Sequence, residues 1–205
     1  MVAWAPMLRI GHRGAAALAP ENTLAAMRAA IGAGVDMVEF DVAPGLVVGH
    51  DGGTGPTLAA FLAQLARIAP PELGFLIDLK GSGYERETLA ACEAAGLAER
   101  CVFSTGELGS LAALNEHART SATIAPGRFW VPWGRVTPAD VHARSGARDA
   151  TLRHDIVTAE TVAAVHERGG RVFAWTVNTR AGIARMRALG CDGIITDDPR
   201  LFHEE

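Results

Sequence analysis

The chain has 205 residues, 49% of them hydrophobic and 20% charged, which suits one barrel-sized domain over residues 1–205 with a sizeable core. Its net charge is −4, and Arg9, Arg28, Arg67, Arg86 and Arg119 fall in separate segments, so the clustered basic footprint of a nucleic-acid partner is missing. Cys92, Cys101 and Cys191 are odd in number and widely spaced, which excludes a disulfide framework and a CxxC zinc pair; they read as small buried apolar residues in a reducing, cytoplasmic compartment.

The opening MVAWAPMLRI is too short, and lacks the basic n-region, for a signal peptide, and no run reaches the roughly 18 apolar residues of a membrane helix. Residues 8–11 predict a short strand ending in Gly and His. Residues 22–34 predict a helix that Asn22 caps and Gly34 ends in a left-handed conformation. Strands follow at 37–42 and 46–49, then an Ala/Leu-rich helix at 57–69 stopped by Pro70-Pro71. A strand at 74–79 precedes a helix at 85–95, and a strand at 101–104 precedes a helix at 108–119 and a strand at 122–125. Residues 127–156, with Trp130, Pro132, Trp133, Gly134 and Pro138, read as a long irregular excursion carrying one short helix at 138–143. A helix at 159–168 leads to strands at 172–176 and 193–196, which flank a helix at 180–189. Both strands are apolar on successive residues, as parallel strands covered on both faces should be. Eight strands with helices between most of them predict the α/β class and a (β/α)8 TIM barrel, at the short end of its range of about 200 residues and upward. An open doubly wound sheet is disfavoured, because no Gly-rich dinucleotide fingerprint follows the first strand.

Glu39 and Asp41 stand two apart on a strand, so their side chains share a face. Two like charges inside a barrel need compensation. A divalent cation held by oxygen ligands, Mg2+ or Ca2+, is one solution. A nearby Arg or Lys, or a retained proton, is another. His12 and His50 follow strands, where barrel enzymes place their sites, and a pair of imidazoles can serve as general acid and base. Arg13 offers a planar fork that matches phosphate oxygens. Asp78 and Lys80 repeat the two-residue spacing; they are a third metal ligand and a phosphate contact, or else Lys80 forms an ion pair with Asp78 or with Glu39. His117, His142, His154, His166 and His203 read as surface or structural residues.

Taken in order, several motifs resemble those of the glycerophosphodiester phosphodiesterase family: Gly11-His12-Arg13-Gly14, Pro20-Glu21-Asn22-Thr23-Leu24, Val38-Glu39-Phe40-Asp41-Val42, Gly49-His50-Asp51, Pro56-Thr57-Leu58, Ile77-Asp78-Leu79-Lys80, Trp175-Thr176-Val177-Asn178 and Gly193-Ile194-Ile195-Thr196-Asp197. Each motif is weak alone, but their shared order spans nearly the whole chain. The resemblance implies a barrel enzyme that hydrolyses a glycerophosphodiester to an alcohol and sn-glycerol 3-phosphate. It implies that His12 and His50 are the acid/base pair, that Glu39 and Asp41 are metal ligands, and that Arg13 and Lys80 contact phosphate. It also makes Trp175 a pocket wall, where core packing is the plainer reading. Two departures stand out. Asp78 occupies a position where the family usually has Glu. Only residues 51–55 separate His50 from Pro56, where the family usually carries a long insertion. A lipid-directed lysophospholipase D or sphingomyelinase D-like activity, with an apolar lip at Trp130, Val131, Pro132 and Trp133, is one alternative. A non-catalytic barrel that binds a phosphate ligand is the other.

Overall fold

The computed structural model describes residues 7–51, 54–126, 130–131 and 134–203. In chain order the elements are β1 (Leu8–Gly11), α1 (Leu24–Gly32), β2 (Met37–Ala43), β3 (Val47–Val48), α2 (Leu58–Ile68), β4 (Gly74–Leu79) and α3 (Glu85–Ala94). There follow β5 (Cys101–Thr105), α4 (Leu108–Leu114), β6 (Arg119–Ile124), β7 (Trp130–Val131), β8 (Gly134–Arg135), α5 (Pro138–Ser145) and β9 (Asp149–Arg153). The chain ends with α6 (Ala159–Glu167), β10 (Val172–Trp175), α7 (Arg180–Ala188) and β11 (Gly193–Thr196).

Parallel pairing runs β1-β2-β4-β5-β6-β9-β10-β11 and returns to β1, so eight staves close into the expected (β/α)8 barrel. Among the described residues no helix is long and apolar enough to cross a membrane. Ile10, Met37, Leu76, Val102, Phe173 and Ile195, one from each of six staves, form a cluster that plugs the barrel interior. Two larger apolar layers lie between staves and helices. Because strand side chains alternate, the residue two positions after each plug residue also points inward, one level nearer the mouth. Those positions are His12, Glu39, Asp78, Ser104, Trp175 and Asp197. One alternation therefore fills the barrel with hydrocarbon below and places polar groups above it.

One of the eight expected staves is replaced by another. The segment at 46–49 is a strand, β3, but it pairs antiparallel with the end of β2 and lies outside the barrel. The missing stave is β9, inside the stretch expected to be irregular. Its sequence DATLR has charged ends and two apolar residues, which hides it. Asp149 is fully buried, and the half-buried Arg119 binds it with two bonds of 2.6 and 2.8 Å, so the polar start of this strand is covered by an ion pair. The same contact recruits Arg119 into β6, which ends α4 at Leu114 rather than at 119. Pro132 and Trp133 of the expected lip lie outside the described residues, as do residues 52–53 beside His50 and residues 1–6 at the start.

Asn22 does not cap α1. Thr23 does, its side chain accepting from the Ala26 backbone N–H at 3.2 Å. Asn22 takes a left-handed backbone (φ 58°) and turns into the protein. Gly34 does follow the helix with φ 75°, as expected.

Candidate active site

The turn after β1 is fixed by its two glycines. A Cβ on Gly11 would stand 2.1 Å from the Gly14 carbonyl oxygen, and one on Gly14 would stand 2.6 Å from the Ala26 carbonyl carbon. The His12 backbone N–H donates to Thr196 O at 2.8 Å, and that of Gly14 to Glu39 O at 2.9 Å, which lashes the turn to both neighbouring staves. Arg13, with φ 50°, donates its backbone N–H to Glu39 Oε2 at 2.7 Å.

His12 is largely enclosed. Its Nδ1 lies 2.6 Å from Asp197 Oδ1, and its Nε2 lies 4.0 Å from Glu39 Oε2. Burial alone would lower the pKa of this imidazole, but the Asp197 bond and the charge of Glu39 raise it above its ordinary value. Asp197 accepts a bond from the Asn178 side-chain amide, and its own N–H donates to Asn178 Oδ1 at 3.0 Å. The His12 bond holds the Asp197 carboxyl below the usual range.

Glu39, Asp41 and Asp78 each offer an oxygen within 4.8 Å of the others. Strand register explains this, since Asp41 pairs with Asp78 across β2 and β4, and Asp78 with Ser104 across β4 and β5. Asp41 is fully buried. Asn22 Nδ2 donates to its Oδ2 at 2.9 Å, and its backbone N–H donates to Asn22 Oδ1 at 3.0 Å. Arg13 Nε lies 3.0 Å from Asp41 Oδ2 and Lys80 Nζ 2.8 Å from Oδ1, so each oxygen of the buried carboxylate meets a cationic side chain. Lys80 Nζ also bonds Asp78 Oδ2. Lys80 thus pairs with Asp78, as one of the ion-pair readings has it, and with Asp41 rather than Glu39. Burial and the neighbouring Asp41 charge push the Glu39 pKa well above the carboxylate range. Asp41 faces the same burial, but Lys80, Asn22 and Arg13 hold its pKa low.

His50 reaches the mouth by another route than expected. It follows the antiparallel β3, and Gly49 N–H donates to Asp41 O at 3.0 Å, which sets His50 level with the carboxylates. Its Nδ1 lies 2.6 Å from Asp51 Oδ1. His12, Arg13, Glu39, His50, Asp78, Lys80 and Trp175 all line one cavity of about 560 Å³. Trp175 donates from its indole to Thr151 O at 3.2 Å and stands half-buried between this cavity and the plug. None of the other five histidines lines the cavity; His142, for one, is buried against Arg148 O.

Five residues that shape the site have no expected role in it from sequence: Asn22, Asp197, Asn178, Ser104 and Thr123. Ser104 and Asp197 sit two positions beyond plug residues, so the alternation that exposes Glu39 would have found them. Asn22 had a plausible local role as a cap, which concealed its long-range one.

The sequence model of the glycerophosphoryl diester phosphodiesterase family matches residues 12–59 and 50–201. A Bacillus subtilis protein provisionally named a glycerophosphodiester phosphodiesterase is 28% identical over 239 aligned positions, covering 94% of this chain and 95% of that protein. The alignment is longer than this chain, so that relative carries residues this chain lacks. A crystal structure from Silicibacter pomeroyi, provisionally named a glycerophosphoryl diester phosphodiesterase, superposes with a TM-score of 0.82 at 22% identity, covering 96% of this chain and 92% of the other. A phosphodiesterase of Oleispira antarctica, solved with the product sn-glycerol-3-phosphate, superposes with a TM-score of 0.70 at 22% identity, covering 94% of each chain.

Proposed function

This chain belongs to the glycerophosphoryl diester phosphodiesterase family, and from that premise we propose that it hydrolyses glycerophosphodiesters to an alcohol and sn-glycerol 3-phosphate, using His12 and His50 as acid and base and a divalent cation, Mg2+ or Ca2+, as cofactor. The observation that carries the proposal is the meeting of two histidines, two basic side chains and the carboxylates Glu39 and Asp78 in one cavity, with the buried Asp41 beside them. The product bound to the Oleispira antarctica phosphodiesterase supports the same small-molecule substrate class.

The triad fits a hard cation. It offers oxygen donors only, its spacing is short, one ammonium, Lys80, is shared by Asp41 and Asp78, and burial together with the Asp41 charge raises the Glu39 pKa. When bound, the cation supplies positive charge against the phosphate oxygens as charge builds in the transition state. Arg13 and Lys80 bind and orient the phosphodiester through the same oxygens. Each histidine is anchored at Nδ1 by a carboxylate, Asp197 for His12 and Asp51 for His50. A carboxylate only accepts, so Nδ1 carries the proton and Nε2 is the atom that exchanges one with substrate. One histidine takes the proton of the attacking oxygen, and the other returns one to the departing alcohol. Trp175 walls the cavity and limits the water beside the reacting phosphate.

The test is turnover of glycerophosphocholine, glycerophosphoethanolamine and lysophosphatidylcholine, with and without chelator. The first two release sn-glycerol 3-phosphate, and chelation stops the release. Turnover of lysophosphatidylcholine alone would replace the substrate assignment with the lipid one, and binding without turnover would replace it with a phosphate-binding barrel.

A further inference from the structure

Each carboxylate of the triad has one oxygen tied down by the chain. Glu39 Oε2 accepts from the Arg13 backbone at 2.7 Å, and Asp41 Oδ2 from Asn22 at 2.9 Å. Asp78 Oδ1 accepts two bonds, from Ser104 Oγ at 2.8 Å and Thr123 Oγ1 at 3.2 Å. The two hydroxyls come from different staves, β5 and β6, and both side chains line the cavity. They bring no charge, so they fix the carboxylate without neutralising it. The other oxygen, Oδ2, is the one that receives the positive charge of Lys80.

From this arrangement we infer that Ser104 and Thr123 are positioning residues for Asp78, clamping its Oδ1 so that Oδ2 is held toward Glu39 and Asp41 as the third oxygen for the cation. The inference rests on the metal-dependent reading above. An aspartate has a short side chain and two χ angles, and a single hydroxyl would leave its carboxylate plane able to turn about the remaining bond. Two donors from separate staves remove that rotation. Groups that orient a ligand in this way typically change metal affinity by about 10–100-fold when removed.

The experiment is calorimetric titration of the chelated, dialysed full chain with Mn2+ and with Ca2+, for wild type, Ser104→Ala, Thr123→Val, the double variant and Asp78→Asn. Wild type binds one ion. The single variants weaken the Kd by several-fold and the double variant by about 10–100-fold, while Tm in chelator stays within a few degrees of wild type. Thr123→Ser, which keeps the hydroxyl, restores wild-type affinity. Adding Ser104→Ala to Asp78→Asn weakens binding no further. Should the double variant fail to fold, the two single variants and the serine rescue decide the question. Wild-type affinity in folded Ser104→Ala and Thr123→Val would overturn the inference while leaving metal dependence intact. A wild-type chain that binds neither ion would instead overturn metal dependence, and this inference with it.

Discussion

His12 Nδ1 and Asp197 Oδ1 lie 2.6 Å apart although 185 positions separate them in the chain, because β1 and β11 meet at the seam that closes the barrel. The His12 pKa is raised above 6.5 and that of Asp197 is lowered below 3.8. A raised histidine contributes stability that is complete below its unfolded pKa and is lost as pH rises through the folded one. A depressed carboxylate contributes stability present above its unfolded pKa and lost as pH falls through the folded one. The pair therefore stabilises most between roughly pH 4 and 6.5. Asp197→Asn should lower Tm most in that window, with the gap narrowing towards pH 9, and should lower the His12 pKa followed by NMR. A gap that is constant with pH would rule out a charged pair.

Chelation should abolish turnover, and Mg2+ or Ca2+ should restore it. Added cation should also raise Tm in proportion to the logarithm of its concentration above Kd, by linkage of binding to folding. Glu39→Gln and Asp41→Asn should lose most of that thermal shift. Full activity in a metal-free preparation would refute the assignment.

His12→Ala and His50→Ala should each reduce kcat by about 10²–10⁴, the usual range for a positioned acid or base. KM should change less, since the phosphate is held by other groups. Near-wild-type kcat in either variant would make that histidine structural.

Asn22→Leu should destabilise the fold by about 1–3 kcal/mol, because it leaves the buried Asp41 carboxylate and its backbone N–H each short of a partner. Urea unfolding of the chelated protein measures this. Thr23→Ala, which removes the true cap of the same helix, should cost about 1 kcal/mol and leave metal affinity unchanged.

Only residues 51–55 separate His50 from Pro56, so little chain is available to enclose a departing headgroup on that side. Choline, ethanolamine and other alcohols should be discriminated weakly, and the glycerophosphate half more strongly. A kcat/KM preference above about a hundredfold, or ~2.7 kcal/mol, for one headgroup would show that another loop or a partner subunit supplies the lid.

What is legible in the sequence is what rests on local periodicity. Glu39 and Asp41, like Asp78 and Lys80, advertise themselves because a strand repeats every two residues. The barrel follows from the succession of strands and helices. Long-range partners leave little such trace. Asn22 next to Thr23 looks like a helix cap, yet its amide serves an aspartate 19 positions on. Strand β9 looks polar because Asp149 finds Arg119 only once the staves are assembled. Asp197 gains its role from the barrel seam, which a linear reading does not close.

The two histidines are mounted on unequal supports. His12 stands at the closed seam with 18% of its side chain exposed, whereas His50 hangs from the two-residue β3 with 45% exposed and an anchor, Asp51, that is itself in solvent. His50 therefore has rotational freedom to surrender when substrate arrives, an entropy penalty of order 1 kcal/mol, and His12 does not. A faster enzyme would come from stiffening this appendage in its engaged pose, with the gain appearing in the activation entropy and the chemistry at the phosphorus unaltered.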